Sequence, residues 1–258
     1  MFTDRDRQKC DELYDRYYRG RKFYDTLYRE KVLAHLTAGD ALLDAGCGRY
    51  LTFSRDLSGV ARVVGIDLER SLDTDNRAEP FGICGDIGRL PLAPATFDII
   101  ISRSVVEHLQ NPVAVFEEFA RVLRPGGKVV LITPNKYDYV SIIAALTPYS
   151  WHRAIVHRVF GVPEDDVYPT AYRANTAGTL KKLFAQAGFD NREIDMINHY
   201  PAYLMFSPIL FRLGVLYERV TSLEMFRSLR GSILAVFEKR LNPVDRAPAR
   251  QTPQTMGA

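Results

Sequence analysis

Three aspartates and two glycines near the ends of short apolar segments are the residues best placed to do chemistry in the first third of the chain. Asp44 precedes the glycine pair of "LLDAGCG", Gly46 and Gly48, while Asp67 and Asp86 close the segments "ARVVGID" and "FGICGD". Glycine is required where a ligand or another backbone comes too close for a Cβ atom. Three carboxylates around one crevice would attract ammonium, hydroxyl and amine donors and would repel a pyrophosphate.

Two classes of nucleotide-like ligand suit a strand that is followed by a glycine turn and a helix. A dinucleotide would place its ribose on an acid about 20 residues further on, where Asp67 stands. However, the third glycine of G-x-G-x-x-G would fall on Leu51, and Asp86 adds negative charge. S-adenosylmethionine carries the donors that these acids favour, and its sulfonium already activates a methyl group without metal or covalent intermediate. An ordinary tight turn is the structural alternative for the two glycines.

The elements that must hold these residues alternate between strands and helices. Most of the predicted strands are rich in Ile, Val and Leu without alternation, which indicates burial on both faces of a parallel sheet. The predicted strands are 41–45, 61–67, 81–86, 97–102, 127–134, 191–197 and 231–240. The predicted helices lie within 4–36, at 111–127 with a stop at Pro125-Gly126-Gly127, and at 175–189 with Gly188 as its end.

The chain is long enough for one α/β domain with a decorated second half. We expect this domain over 1–241, with a helical cover at 1–39 and with insertions at 136–175 and 199–230 that act as a substrate lid or an interface. The tail at 242–258 contains prolines, alanines and glutamines and is expected to be disordered.

Two apolar blocks within these insertions, 139–162 and 200–220, are more aromatic than loops need to be. Four roles stay open for them: an anionic membrane surface, a lid over an apolar acceptor, a dimer interface, and burial against the sheet. Our hypothesis is a bulky or lipid-like acceptor, with peripheral contact at the inner face of a membrane. The aromatic and basic residues concerned are Tyr149, Trp151, His152, Arg153, Arg158, Tyr200, Tyr203, Phe206, Phe211 and Arg212.

Composition argues against several other functions. The 258 residues carry 34 basic and 31 acidic side chains, a net charge of +3, without the basic stripe that nucleic-acid binding needs. Cys10, Cys47 and Cys84 are too few and too dispersed for a disulfide framework or a zinc site, and they suit a reducing compartment. The charged start is unlike a signal peptide, and no apolar run is long enough to span a bilayer. We expect a cytoplasmic monomer or homodimer that does not bind nucleic acid.

Four motifs in order, "LLDAGCG", "VVGIDLE", "GDIGRLPLAPATFDIIISRSVVEHL" and "LRPGGKVVLITPN", resemble those of class I S-adenosylmethionine-dependent methyltransferases. The resemblance covers about 40–135. It implies an α/β, Rossmann-like, seven-stranded and mostly parallel sheet between helices, with an antiparallel last strand at about 232–238. It also implies S-adenosylmethionine as cofactor, S-adenosylhomocysteine as product, and methyl transfer to a small or lipid-linked molecule, to oxygen before nitrogen or carbon. The alternatives are a non-catalytic scaffold with the same cofactor fold and a nucleotide-dependent oxidoreductase.

The resemblance also carries roles over to matching positions. The glycine turn and its preceding acid would face the methionine portion of the cofactor. The acid and leucine after the second strand would hold ribose and adenine, and the acid and isoleucine after the third strand would hold the adenine amine. The serine and arginine that end the fourth strand would lie near the methionine end. This set is Asp44, Gly46, Cys47, Gly48, Asp67, Leu68, Asp86, Ile87, Ser102 and Arg103; Tyr50 stands where many members have another glycine.

Methyl transfer to a hydroxyl or amine needs a group that accepts a proton. His108 in "SVVEHL" is the candidate base because histidine titrates near neutrality. A structural role for the Glu107-His108 pair is the alternative. The segment also resembles ubiquinone-pathway O-methyltransferases, in which another Glu three residues earlier helps to bind a divalent metal. Here that position is Ser104, and we expect no metal.

The polar and aromatic segment "EDDVYPTAYRANT" lies where this family often builds its acceptor pocket. Tyr168, Tyr172 and Arg173 are therefore candidate substrate contacts, with a simple lead into the next helix as the alternative for the last two. His199 is expected to be a surface or satisfied core histidine, because the histidines are too dispersed for a metal site.

Overall fold

The computed structural model describes residues 4–48, 54–57, 59, 61–68, 81–147 and 168–241. In these ranges a seven-stranded sheet has the order β3-β2-β1-β4-β5-β7-β6. The strands from β3 to β5 are parallel, and β7 runs antiparallel to both β5 and β6. The predicted α/β sheet and its antiparallel last strand are thus confirmed. The strands are β1 (Ala41–Ala45), β2 (Arg62–Asp67), β3 (Phe81–Cys84), β4 (Phe97–Arg103), β5 (Leu123–Pro134), β6 (Phe189–Ile197) and β7 (Ser232–Lys239).

Helices cover both faces of the sheet. On one face Phe184 stacks against Phe237 and Phe116, with ring centroids 3.8 and 4.1 Å apart. On the other face Tyr28 and Val32 are fully buried against the sheet. Within the described ranges the α-helices are α1 (Asp4–Tyr18), α2 (Tyr24–His35), α3 (Pro112–Val122), α4 (Tyr139–Leu146), α5 (Ala177–Gln186) and α6 (Pro208–Thr221).

The boundary between α3 and β5 differs from the prediction. The helix begins as expected, with Asn111 accepting a hydrogen bond from the N–H of the third helical residue. It ends at Val122, however, and not at Pro125-Gly126-Gly127. Leu123 is fully buried and pairs with Phe97 of β4, so burial against the sheet holds the chain extended before the proline is reached. The two glycines therefore lie inside β5 and do not end the helix.

The second apolar block forms α6, and one side of it packs on the N-terminal helix α1. Tyr18 and Phe211 are fully buried and meet edge to face, with ring centroids 6.1 Å apart. Arg21 binds Glu218 at 2.8 Å in the same region. The inner side of α6 is therefore buried against α1, and not against the sheet as in the fourth role left open. Its outer side exposes Ile209, Leu213, Leu216 and Val220.

None of the helices in the described part of the chain is both long enough and apolar enough to cross a bilayer. Most of the first apolar block, from Pro148 to Val162, lies outside the described residues, as do Tyr50, Leu51 and the tail at 242–258.

Candidate active site

The glycine turn after β1 is tightly bound to the neighbouring strand. The N–H groups of Gly46 and Cys47 both donate to the carbonyl of Ile66, at 2.8 and 3.2 Å. Gly46 has φ of +81°, and a Cβ atom there would lie 2.2 Å from Cγ2 of Val105. Gly48 also has a positive φ, +66°, but its Cβ would meet no atom of the described residues within 4 Å. The close approach at the first glycine is thus to a side chain of the protein, and open space adjoins the second.

The three predicted acids lie at the carboxyl ends of neighbouring strands, in different environments. Asp44 is buried within β1. Asp67 ends β2, is half-buried, and accepts a hydrogen bond from the N–H of Gly48 at 2.8 Å, which connects the second strand to the glycine turn. Asp86 follows β3, is exposed, and accepts from the N–H of Gly88 at 2.7 Å.

An unusually exposed apolar side chain lies next to Asp67. Leu68 is 73% exposed, whereas Ile87 is buried in the core and can offer a ligand only its backbone. A carboxylate that accepts hydroxyl bonds beside an apolar face suits a ribose joined to an adenine. These residues therefore fit the adenosine part of the cofactor that the sequence motifs imply.

The two predicted contacts at the end of β4 have partners within the protein. Ser102 is buried and donates its hydroxyl to the carbonyl of Ala45 at 3.1 Å, which fixes β4 against β1. Arg103 is exposed and forms an ion pair with Asp25 of α2 at 2.6 Å. Their expected place near the methionine end of the cofactor stays a prediction.

A cavity of about 440 Å³ opens beyond the carboxyl ends of β4 and β5. Its wall includes Ser104, which follows β4 and precedes the Val105 side chain that lies against Gly46. The cavity and the glycine turn thus share one short segment of chain. Most of the large lining side chains are tyrosines: Tyr24, Tyr139, Tyr168, Tyr172, Tyr200, Tyr203 and Tyr217.

Two residues of the cavity wall have strained backbones. Ser104 has φ of +56° and Tyr172 has φ of +48°, values that are uncommon for residues other than glycine. The hydroxyl of Tyr24, on α2, hydrogen-bonds to Ser104 Oγ. Strain of this kind persists where surrounding contacts enforce it, and it concentrates at functional sites.

A buried polar network holds the wall segment around Tyr172 in place. Thr133 donates its hydroxyl to Oε2 of Glu107 at 2.9 Å, and the Asn175 amide donates to Thr133 at 2.6 Å. The backbone carbonyl of Glu107 accepts from the N–H groups of Ala171 and Tyr172, at 2.6 and 3.1 Å. Burial raises the pKa of the Glu107 carboxyl, although the neighbouring His108 lowers it.

His108 lines the cavity in a defined orientation. Its Nδ1 lies 3.0 Å from the carbonyl oxygen of Pro169. A carbonyl oxygen only accepts, so this contact assigns the proton of the neutral ring to Nδ1 and leaves a lone pair on Nε2. Nε2 in turn lies 3.9 Å from Oε1 of Glu107. This arrangement suits a base whose protonated form is stabilised by a carboxylate.

Asp138 and His199 are two further ionisable residues of the wall that the sequence did not single out as site residues. Asp138 is 6% exposed and caps α4 by accepting from the N–H of Val140 at 3.1 Å. Burial raises the pKa of its carboxyl to about 6, although the N–H groups of Val140 and Tyr139 and the hydroxyl of Tyr217 hold it lower. Burial also lowers the pKa of His199 to about 4, so that this ring is neutral near pH 7. Its Nε2 lies 2.7 Å from the Ser232 hydroxyl, as expected for a satisfied histidine.

Comparisons with known proteins agree with this geometry. Residues 43–131 match the family model of a methyltransferase domain. A Mycolicibacterium smegmatis protein named "Probable S-adenosylmethionine-dependent methyltransferase" is 34% identical over 110 residues, which cover 42% of this chain and 43% of the relative. A ubiquinone biosynthesis O-methyltransferase of Idiomarina loihiensis is 30% identical over 124 residues, covering 44% of this chain and 51% of the relative.

Residues 43–131 of this chain match a methyltransferase domain, and the chain is similar to an S-adenosylmethionine-dependent methyltransferase. The Mycolicibacterium smegmatis relative is named for S-adenosylmethionine, the cofactor that the sequence motifs of this chain also imply. The matches span about half or less of the length of these relatives. The solved structure of the [4+2]-cyclase SpnF has the same fold, with a TM-score of 0.57 at 18% identity over 84% of this chain and 82% of its own. Because that protein is named for a different reaction, the fold by itself does not give the acceptor.

The fold brings two of the three predicted substrate residues to the cavity. Tyr168 and Tyr172 line the cavity, whereas Arg173 is exposed and is not among the lining residues. The unselected Asp138 had one sequence signal: it is an acid shortly after a predicted strand, like the three acids that are predicted to bind the cofactor. His199 had no such signal.

Among the described residues, we find no group of three or more His, Cys, Asp or Glu side chains placed to hold a metal ion. The expectation of a metal-independent site stays a prediction.

Proposed function

We propose that the protein transfers a methyl group from S-adenosylmethionine to an oxygen atom of a small or lipid-linked acceptor in the tyrosine-lined cavity. One observation carries this proposal: the segment from Ser104 to His108 borders both places. Val105 lies against Gly46 of the cofactor turn, while Ser104, Glu107 and His108 line the cavity. An acceptor in the cavity would therefore adjoin the methionine end of the cofactor, as direct transfer requires.

On the cofactor side, each residue has a simple task. Asp67 accepts from the ribose hydroxyls, Leu68 covers the adenine, and Asp86 accepts from the adenine amine. The open space beside Gly48 admits the ligand close to the backbone. When bound, the cofactor supplies a methyl group that is already activated by its sulfonium.

On the acceptor side, His108 removes the proton. Nε2 accepts the hydroxyl proton as the new O–C bond forms and the S–C bond breaks, and Glu107 stabilises the resulting imidazolium from 3.9 Å. The Glu107–Thr133–Asn175 network keeps that carboxylate in place. The products are the methyl ether and S-adenosylhomocysteine, and the proton leaves through the histidine.

The exposed apolar residues beside the cavity support a lipid-linked acceptor. Tyr139 of α4 and Tyr217 of α6 both line the cavity and meet with ring centroids 5.0 Å apart. The same two helices expose Ile143, Leu213 and Leu216 to solvent. An acyl or prenyl chain attached to the acceptor could lie along this apolar surface.

Cofactor binding is tested by calorimetry with S-adenosylmethionine, S-adenosylhomocysteine and NAD. Asp67→Asn should weaken binding of S-adenosylmethionine by roughly 10- to 150-fold, because a charged acceptor of two hydroxyl bonds is lost, at about 1.5–3 kcal/mol. The matched control is Glu117→Gln on the exposed face of α3, which should leave the affinity unchanged. Equal affinity for Asp67→Asn and wild type would remove Asp67 from the site, and tighter binding of NAD would refute the methyltransferase function.

Catalysis is tested by transfer of an isotopically labelled methyl group to a panel of phenols, alcohols and their acylated or prenylated forms. For an accepted hydroxyl, His108→Gln should lower kcat by roughly 10²- to 10⁴-fold with little change in cofactor affinity. An unchanged kcat would show that His108 has a structural role, the alternative stated above.

A further inference from the structure

The cavity is acidic and aromatic to a degree that methyl transfer alone does not require. Three carboxylates line it, and no Lys or Arg side chain is found among its described lining residues. Glu218 is neutralised by Arg21 at 2.8 Å. For Glu107, the only basic side chain within 4 Å among the described residues is His108. The remaining carboxylate, Asp138, forms no ion pair with any residue in the described ranges.

Asp138 is the strongest sign of a missing partner. The residue is 6% exposed, and its carboxylate accepts a hydrogen bond from a neutral donor, the backbone N–H of Val140, at 3.1 Å. A buried carboxylate without a cation loses hydration that neutral donors only partly replace. A positive group on a ligand would offset that loss.

Aromatic rings surround the same carboxylate. Tyr139, Tyr172, Tyr203 and Tyr217 line the same cavity as Asp138. Burial raises the pKa of each of these tyrosines, and the charge of Asp138 adds to the rise. The faces of such rings attract ammonium groups. An anionic acceptor would meet repulsion here, and a neutral one would leave the charge of Asp138 uncompensated.

We propose that the acceptor is a cation: it carries a protonated amine that binds beside Asp138 among the tyrosines, away from the hydroxyl that is methylated. This inference rests on the proposed function for the identity of the cavity as the acceptor site. It also assigns separate tasks to the two sides of the wall, with Asp138 recognising the charge and His108 removing the proton. Carboxylate- and phosphate-bearing acceptors are excluded.

The test uses three probes of similar size that differ in charge: tyramine, 4-propylphenol and 3-(4-hydroxyphenyl)propionate. Each is titrated calorimetrically into the full chain saturated with S-adenosylhomocysteine. Tyramine should bind at least about tenfold more tightly than 4-propylphenol, and the propionate more weakly than both. Asp138→Asn should bring tyramine to within about threefold of 4-propylphenol, whereas Glu117→Gln should keep the full preference.

Four outcomes would each overturn the inference. Three concern the wild type: equal affinities for tyramine and 4-propylphenol, tightest binding of the propionate, or no saturable binding of tyramine. The fourth is a preference for tyramine that survives Asp138→Asn. The wild-type series decides the question even if a variant fails to fold. Calorimetry with S-adenosylmethionine and the labelled methyl assay report the proposed function separately. A preference for the amine without any methyl transfer would therefore support the cation site and refute the reaction.

Discussion

Replacing Asp138 by Asn should stabilise the protein near neutral pH, although Asp138 caps a helix. The asparagine oxygen can still accept from the N–H of Val140, and Asn is as good a cap as Asp. What changes is the buried charge. The pKa of Asp138 is about 6 in the fold, against an ordinary value of 3.8, so the folded chain holds this proton more tightly than the unfolded chain does. The contribution of Asp138 to stability is therefore fully present below about pH 3.8 and is lost as the pH rises through about 6.

The magnitude follows from the gap between the two pKa values. At pH above 6 the buried charge lowers the free energy of unfolding by about 3 kcal/mol, which corresponds to roughly 6–12 °C in Tm for a chain of this size. Removing the charge should recover most of this amount. The free energy of unfolding of Asp138→Asn should exceed that of wild type by roughly 2 kcal/mol more at about pH 7.5 than at about pH 4.5.

The assay is urea unfolding of cofactor-free wild type, Asp138→Asn and Glu117→Gln at both pH values, followed by intrinsic fluorescence and far-UV circular dichroism. The control removes an exposed carboxylate and should shift stability by less than about 0.5 kcal/mol at either pH. A variant that is no more stable than wild type at the higher pH would refute the reasoning. So would a gap of equal size at both pH values, since that would point to packing and not to ionisation.

Two further predictions concern glycines. Gly46→Ala should destabilise the fold by roughly 2–5 kcal/mol, because of positive-φ strain and a clash with Val105. Gly48→Ala should cost only about 1–2 kcal/mol, because its Cβ meets no described residue within 4 Å. Equal losses in denaturant midpoint for the two variants would contradict this account of the turn. Gly231→Ala would place a Cβ atom 2.2 Å from Cδ2 of His199, so it should displace the His199 ring and lower stability by roughly 1–3 kcal/mol. Thermal unfolding measures the loss of stability, and the histidine resonances in NMR spectra report the movement of the ring. An unmoved ring with unchanged stability would contradict this prediction.

The elements that were predicted correctly are those whose residues form a local pattern in the sequence. Each parallel strand is a short apolar run, and the glycine turn and its acids lie directly at the strand ends, so one stretch of chain encodes both the strand and its functional residue. The end of α3 was wrong because a tertiary contact decided it. The burial of Leu123 opposite Phe97 outweighed the local stop signal of Pro125-Gly126-Gly127.

The tyrosine-lined cavity could not be predicted in the same way, because its wall is assembled from separate parts of the chain. Tyr24 comes from α2, Tyr139 from α4, Tyr172 from the segment before α5, and Tyr217 from α6. Each has an ordinary local explanation as an apolar position in a helix or loop. Arg103 illustrates the same limit: its match to a family position says nothing of Asp25, which lies 78 residues earlier and forms an ion pair with it.

Asp138 shows why such residues are hidden from sequence reasoning and why stability helps to find them. In sequence it is an acid shortly after a predicted strand, and its structural role as the cap of α4 would by itself account for it. In the fold it is a buried carboxylate beside a cavity, where the charge opposes folding and asparagine would cap as well. Residues that oppose folding in this way are retained where function uses them. If Asp138→Asn gains stability and loses the preference for the amine together, the same buried charge accounts for both effects.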